Sequence, residues 1–307
     1  MTRQVKRLGS HVNYSRRSVR VGGRPARLGG MKARTALIAV ALIVLMAGVG
    51  LAQRGRGGRG QRGGGLYSGR PARYATADDF TGGFQFCRVV FPQGNGDGAG
   101  WNVDWPRADI NLSIRLSELT RTPVSMDATN EPETLLINFK SPELFRCPFI
   151  MMTEPGAAYL DDVDAKNLRE YLLKGGVLWA DDFWGDYAWD YWEGMLRKAL
   201  PSGAYPIFDV PRDHALFHQV LNAQDVPQIP GIGYWDGGNR TWERPGTEGA
   251  HFRAINDSHG RIMVLMTFNT DFGDAYERET ENPLYFQKFS VPGYAFGINT
   301  IIYSLTH

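Results

Sequence analysis

Two continuous apolar runs flank one amphipathic stretch in the middle of the chain. The runs cover residues 148–152 and 177–180, and residues 161–174 between them place apolar side chains at helical spacing. Gly175 and Gly176 provide the stop for that helix. Continuous apolar strands are typical of a parallel sheet that is covered on both faces. The segment therefore predicts a βαβ unit with its helix packed on the sheet.

The same alternation of strands and helices continues through residues 76–307, and no internal repeat interrupts it. This order predicts one α/β domain with a doubly wound, mostly parallel sheet. The other predicted strands cover 84–91, 134–138 and 262–268, and the other predicted helices start near Pro106 and cover 191–200 and 294–305.

A separate apolar run precedes this domain. Residues 35–52 are uncharged, follow Lys32 and Arg34, and end in small residues, which predicts a secretory signal peptide over 31–52. The run is also long enough to cross a bilayer, so an uncleaved signal anchor is the alternative. In both interpretations the domain is exported. It is either periplasmic or anchored to the membrane and facing the periplasm. We expect residues 1–30 to be a basic, disordered extension. A wrongly assigned start codon would account for its presence before the signal segment.

Charge is distributed very unevenly along the chain. No Asp or Glu occurs before Asp78, whereas 16 of the 34 Lys and Arg residues lie at or before Arg73, which leaves 18 basic residues against all 32 acidic ones. Residues 53–75 contain the stretch RGRGGRGQRGGG and predict a flexible Arg/Gly-rich linker. An acidic exported domain is a poor partner for nucleic acid. If the apolar run is uncleaved, residues 35–52 also make the membrane a partner.

The chain contains two cysteines, Cys87 and Cys147. An exported protein could pair them as a disulfide, although two cysteines in strand-like apolar runs are also common as buried thiols. The sequence leaves both alternatives open.

Several segments are specific in combination. In chain order they are FCRVVF, WPRADINLSIRLSELT, PFIMMTEPG, LREYLLKGGVLWADDFWG, VPRDHALFH, GRIMVLMTFNTDFGDAYE and AFGINTIIYSL. The domain resembles the DUF4159 proteins, a bacterial family of unassigned function related to the class I glutamine-amidotransferase-like fold that also contains the ThuA-like proteins. The resemblance implies a flavodoxin-like, three-layer α/β sandwich.

The resemblance brings no catalytic residue with it. Class I amidotransferases place a nucleophilic cysteine on a tight turn after a strand, whereas the comparable strand here ends in Asp181, Asp182 and Phe183. Cys87 and Cys147 do not lie at a strand-to-helix turn with a His and a Glu nearby in sequence. The sequence therefore argues against Cys/His amidotransfer.

Candidate site residues follow the predicted strands, because ligands of open α/β sheets bind outside the carboxyl ends of the strands. Carboxylates in such a cluster serve hard-cation binding, acid/base catalysis or hydrogen bonding to sugar hydroxyls. The structural alternative is that they cap helices or face solvent in loops. The candidates are Glu154, Asp181, Asp182, Asp271 and Asp274, together with Asn269.

Other features are weaker. His214 and His218 have the spacing of two metal ligands on one helical face, but Asp213 and His214 could equally cap that helix. Trp184 belongs to a dense set of aromatic residues, of which about half are expected in the core and the rest suit a carbohydrate. Residues 93–100, QGNGDGAG, predict a mobile flap.

Two functions are compatible with these residues. The first is a non-catalytic ligand-binding or envelope-assembly domain that uses an acidic, aromatic-rich crevice with His214 at its rim, and binds carbohydrate or envelope proteins. The second is a glycan-acting hydrolase or lyase that uses Asp181 and Asp182 or Asp271 as an acid/base pair. No cofactor and no complete metal site is predicted, although the carboxylates suit a divalent cation.

Overall fold

One seven-stranded sheet organises the domain. The computed structural model describes residues 73–307. The strand order is β2-β1-β3-β4-β7-β6-β5; the first five strands are parallel, and β6 is antiparallel to both β7 and β5. The strands are β1 Phe86–Val89, β2 Thr134–Ile137, β3 Phe149–Thr153, β4 Val177–Phe183, β5 Phe208–Asp209, β6 His251–Asn256 and β7 Ile262–Phe268.

Helices cover both faces of the sheet. The longest are α1 Arg107–Thr120, α2 Asp162–Leu173 and α3 Gly185–Ala199, and α7 Val291–Thr306 closes the chain. The short helices are α4 Ile232–Asp236, α5 Phe272–Glu277 and α6 Pro283–Tyr285, which continues through a π-helical turn into α7.

The side chains of each strand alternate between two hydrophobic layers. In β4, Leu178 and Ala180 join the layer that packs on α2 and α3, whereas Trp179 joins the layer that packs on α1, α5 and α7. Successive residues of a strand point to opposite faces, so a sheet covered twice requires apolar residues at every position. This arrangement confirms the predicted mostly parallel α/β sandwich.

Local signals set the ends of the central helix α2. The carboxylate of Asp161 accepts hydrogen bonds from the amides of Val163 and Asp164, both at 2.9 Å, and so caps the first turn. After the last turn, Gly175 has a φ of +109°, a conformation that glycine adopts without steric cost. After this helix, β4 pairs in parallel with β3, as the predicted βαβ unit requires.

The structure differs from the sequence prediction at β4, at α3 and at the edge of the sheet. β4 continues beyond residue 180 to Phe183, and α3 begins at Gly185 rather than at residue 191. The predicted strand ends with its apolar run at Ala180, whereas the observed strand also includes Asp181 and Asp182. The antiparallel edge formed by β5 and β6 was not predicted.

Cys87 and Cys147 form a disulfide bond, which closes a segment of 60 residues in sequence separation. Cys87 lies in β1, and Cys147 lies two residues before β3, the strand next to it in the sheet. The sequence left open whether the two cysteines pair or remain buried thiols, and the structure has the pair. The disulfide also removes both thiols as nucleophiles.

The predicted extension, the signal segment and most of the linker lie outside the described residues. The final linker residues, Arg73 to Ala75, already contact the domain, since the amide of Ala75 donates to the carbonyl of Leu136 at 2.8 Å. Between residues 73 and 307, no helix combines the length and the apolar character needed to span a bilayer.

Candidate functional site

The backbone is unusual where β3, β4 and β7 end. Glu154 after β3, Asp182 near the end of β4 and Asn269 after β7 all have positive φ, between 52° and 58°. Residues other than glycine rarely adopt this conformation, and it is concentrated at functional sites. The pairing register between β4 and β7 also shifts between Ala180 and Phe183. Such a bulge redirects side chains, and here it lies beside the predicted carboxylates.

Asp181 has a structural role at this rim. Its side chain has no exposed surface, and both of its oxygens accept hydrogen bonds. One bond comes from the Thr267 hydroxyl at 2.5 Å and the other from the amide of Phe272, the first residue of α5, at 2.9 Å. Burial raises the pKa of Asp181 to about 7. Asp181 therefore fixes the amino end of α5 to the sheet.

Three carboxylates meet beside that end of α5. Asp104, Asp271 and Asp274 each offer an oxygen, and these oxygens all lie within 4.8 Å of one another. Asp104 is 7% exposed, and no N–H or O–H donor among the described residues bonds to its Oδ2. Only a protonated Asp104 could share a hydrogen bond with its neighbours Asp274 and Glu277. Oδ2 of Asp104 points at Gly273, where an added Cβ would collide with it. A buried oxygen without a donor requires a proton or a cation.

Asp271 also belongs to a second group, with Asp182 and Glu243, whose oxygens again lie within 4.8 Å of one another. Burial raises the pKa of Asp182 and of Asp271 well above the ordinary value. Neighbouring negative charges add to the effect, chiefly Glu154 on Asp182 and Asp182 on Asp271. We call the five residues of the two groups, Asp104, Asp182, Glu243, Asp271 and Asp274, the carboxylate cluster.

Four members of the carboxylate cluster accept a hydrogen bond from a fixed donor. Fixed donors of this kind position carboxylates before any ligand arrives. The indole Nε1 of Trp184 donates to Asp182 at 2.9 Å, the amide of Gly231 to Glu243 at 2.7 Å, the amide of Asp274 to Asp271 at 2.8 Å, and the amide of Ile232 to Asp274.

The described arginines around the carboxylate cluster also serve other carboxylates. Nε of Arg278 lies 3.5 Å from Asp274, but the same guanidinium pairs with Glu277 and Glu281. Arg88 is fully buried and pairs with Asp109. Positive charge from the protein is therefore scarce relative to the five carboxylates, and this scarcity is one cause of their raised pKa values.

Glu154 lies under the loop that the sequence predicts as a flap. Its Oε2 accepts hydrogen bonds from the amides of Ala99 and Gly100. Asp97 of the same loop pairs with Arg244 at 2.7 Å, and Arg244 also donates to the Trp184 carbonyl at 2.9 Å. The loop is thus bonded to the rim on two sides.

The aromatic residues divide between core and surface. Trp184 is 2% exposed and acts as a donor to Asp182, so it does not present a ring to a ligand. Tyr187, by contrast, is 62% exposed, and Tyr159 and Tyr191 lie against Gly94 of the loop. Aromatic rings therefore border the loop over Glu154.

The structure does not bring His214 to the carboxylate cluster. Its Nδ1 accepts a hydrogen bond from the amide of Leu216, and its ring packs against Tyr303. The Tyr303 hydroxyl accepts from the amide of Ile262, the first residue of β7, at the opposite end of that strand from the rim. His218 bonds to Asn222 instead. His214 therefore caps its 3-10 turn, which is the second of the two interpretations left open by the sequence.

The carboxylate cluster contains two residues that the sequence prediction missed. Asp104 lies in the long loop after β1. The rule that ligands bind outside the carboxyl ends of the strands therefore applies to it as well. Glu243 lies in the irregular segment between α4 and β6, after no parallel strand. Its position depends on tertiary structure that no local pattern indicates.

The raised pKa values predict an unusual dependence of stability on pH. Burial raises the pKa of Glu154 to about 7, as it does for Asp181. These carboxyls bind more protons in the folded than in the unfolded state between about pH 4 and pH 7, so the free energy of unfolding falls as pH rises through this window. Asp79 and Asp161 have pKa values lowered to about 2, chiefly by hydrogen bonds to Arg73 and Lys140, and titrate below it.

Without divalent cations we therefore expect the Tm to be several degrees higher at pH 5.5 than at pH 8. Thermal unfolding followed by circular dichroism across this range measures the effect. The variant Glu154→Gln should flatten the profile, because it removes one of the titrating groups while keeping an oxygen that accepts hydrogen bonds. A Tm that falls on acidification from pH 8 to pH 5.5 would contradict the expectation.

A family model described as "Domain of unknown function (DUF4159)" matches residues 86–305. The match covers more than half of the chain, and the chain therefore belongs to this family. The matched segment runs from the first residue of β1 into α7 and includes the whole carboxylate cluster. No curated protein matches the chain significantly.

Proposed function

We propose that this member of the DUF4159 family is an exported ligand-binding domain whose crevice holds a hard divalent cation. One observation carries the proposal. Five carboxylates converge beside the ends of the strands in two overlapping groups, and a buried oxygen of Asp104 has no donor among the described residues. Buried charges in proteins are paired or coordinate metals, and the nearby arginines also pair with other carboxylates.

The donor set suits particular ions. Mg²⁺, Mn²⁺ and Ca²⁺ prefer oxygen ligands, and carboxylates are their commonest protein ligands. Neither group contains a histidine or a thiolate, the ligands that favour zinc. With three protein oxygens at each group, further positions of an ion remain for water or for oxygens of a bound ligand.

Two further features support an exported carbohydrate- or envelope-binding role. The Cys87–Cys147 bond is of the kind that persists in oxidising compartments. Tyr159, Tyr187 and Tyr191 border the loop over Glu154 and offer rings on which a sugar could stack. A cation in the crevice would bind sugar hydroxyls or anionic groups of an envelope polymer directly.

A glycan-acting hydrolase is the second candidate. Asp182 and Asp271 form a carboxylate pair whose oxygens lie within 4.8 Å of each other, and glycosidases cleave their substrates with a pair of carboxyls. Their raised pKa values suit an acid/base pair. This function works without a metal ion, so an effect of cations on the protein separates the two candidates.

Divalent cations should stabilise the domain. At a concentration 100 times its Kd, an ion that binds only the folded state adds about 2.7 kcal/mol to the free energy of unfolding. For a domain of this size the Tm should rise by roughly 5–10 °C. Differential scanning fluorimetry of the chelator-treated protein, with Mg²⁺, Mn²⁺ and Ca²⁺ in turn, measures this shift.

A matched pair of variants makes the test specific. Asp271→Asn removes the charge shared by both groups and should abolish the cation-dependent shift. Asp190→Asn makes the same change at an exposed carboxylate of α3 and should retain it. A wild-type protein whose Tm does not respond to any of the three cations would refute the cation site and favour the hydrolase.

A further inference from the structure

The two groups of the carboxylate cluster share one residue. Asp271 contributes an oxygen to the group with Asp104 and Asp274 and an oxygen to the group with Asp182 and Glu243. We infer that the crevice holds two divalent cations, one in each group, with the carboxylate of Asp271 as the bridge between them. This inference rests on the proposed cation site and specifies its composition.

The hydrogen bonds of Asp271 are compatible with a bridging role. Its Oδ1 accepts a single hydrogen bond, from the amide of Asp274, as the cap of α5. A carboxylate has about four lone-pair sites on its two oxygens, so one bond leaves capacity for two metal contacts. The helix cap and the metal bridge can therefore coexist in the same side chain.

The remaining four carboxylates divide evenly between the two groups. Asp104 and Asp274 complete one group with Asp271, and Asp182 and Glu243 complete the other. Asp104 comes from the loop after β1, Asp182 from β4, and Glu243 from the segment before β6. Asp271 and Asp274 belong to one helical turn. The other three carboxylates come from separate parts of the chain and complete the two sites around that turn.

The spacing of the two groups suits a pair of ions. Ions that share a carboxylate in binuclear protein sites lie about 3.5–4 Å apart, which suits groups that span at most 4.8 Å.

Asp104 supplies an independent observation. Among the described residues no donor bonds to its buried Oδ2, which lies against Gly273 in the first turn of α5. Its φ of +61° holds the residue in a left-handed conformation that few non-glycine residues adopt. A cation bound by Asp104 would compensate the buried charge of this carboxylate.

Mn²⁺ binding to the chelator-treated protein tests the inference. Equilibrium dialysis with metal analysis counts the ions, and low-temperature electron paramagnetic resonance distinguishes isolated Mn²⁺ from an exchange-coupled pair. We expect two Mn²⁺ per wild-type chain at saturation and a coupled spectrum. Asp104→Asn and Glu243→Gln, one on each side of the bridge, should each reduce the count to one and give the spectrum of isolated Mn²⁺.

The remaining outcomes are also decisive. Asp190→Asn should bind two ions like the wild type, and circular dichroism checks that every variant is folded. One Mn²⁺ per wild-type chain with an isolated-ion spectrum would overturn the pair while leaving the proposed single-cation function intact. No bound Mn²⁺ would overturn both. Because the wild-type count and spectrum decide the result, the test does not depend on the folding of any variant.

Discussion

Replacing Arg88 with Met should destabilise the domain by about 3–5 kcal/mol, the usual cost of removing one partner from a buried ion pair. The side chains of Arg88 and Asp109 have no exposed surface. Nε and Nη2 of Arg88 donate to the two oxygens of Asp109, and Nη1 donates to the Thr153 hydroxyl. The substitution leaves the Asp109 carboxylate buried without its cation, which is the main source of the loss.

A double variant separates the cost of the unpaired charge from the loss of packing. Adding Asp109→Leu to Arg88→Met removes both charges and should recover much of the stability, since apolar replacement of a whole buried pair is often nearly neutral. Urea unfolding of the wild type, both single variants and the double variant gives the coupling energy. A double variant that is destabilised by the sum of the single effects would show that the two side chains act independently.

The position of this ion pair matters for the crevice. Arg88 lies in β1, next to β3, and the charges of Asp104 and Asp181 contribute to raising its pKa. Its guanidinium therefore supplies buried positive charge beneath the rim, although its hydrogen bonds are directed to Asp109 and Thr153. Loss of Arg88 should for this reason raise the pKa values of the neighbouring carboxyls further.

The sequence was sufficient to predict the central layers of the fold. β3, β4 and β7 contain continuous apolar runs, so apolar side chains point to both faces of the sheet. This composition requires a packed layer on each face. Gly175 and Gly176 mark the end of the helix between β3 and β4. This signal is local, and the structure retains it.

The end of β4 was not predictable in the same way. Asp181 and Asp182 are both part of the strand, against the intrinsic preference of aspartate. Asp181 is tolerated because Thr267 and the first amide of α5 satisfy its oxygens, and both donors are nearly 90 residues away in sequence. No window of local sequence contains that information.

The candidate site was predicted in part for a related reason. The rule that ligands bind after parallel strands selected Glu154, Asp182, Asp271 and Asp274, because it depends on topology and not on side-chain contacts. His214 was selected instead by its spacing to His218 and was expected at the same rim, although it lies at the other end of β7. Glu243 is brought to Asp182 by the path of the chain between α4 and β6, where no periodic pattern exists.

Removing the disulfide with the double substitution Cys87→Ala/Cys147→Ala should lower the free energy of unfolding by about 4 kcal/mol. The estimate follows from the chain entropy released when a loop with a sequence separation of 60 residues is no longer closed in the unfolded state. For a domain of this size it corresponds to a Tm decrease of about 10 °C. Alanine is the appropriate replacement because both sulfurs are buried among apolar side chains.

Chemical reduction of the wild type provides the control for this substitution. Reduction keeps both sulfurs in the core, so it removes the covalent constraint without creating the cavity that alanine leaves. If the entropy of the unfolded chain dominates, the reduced wild type and the double-alanine variant should unfold at similar temperatures, both well below the oxidised protein. A reduced protein that retains the Tm of the oxidised form, with both thiols shown to be free by mass spectrometry after alkylation, would exclude that mechanism. The bond would then stabilise the domain little, and its support for an oxidising compartment would weaken accordingly.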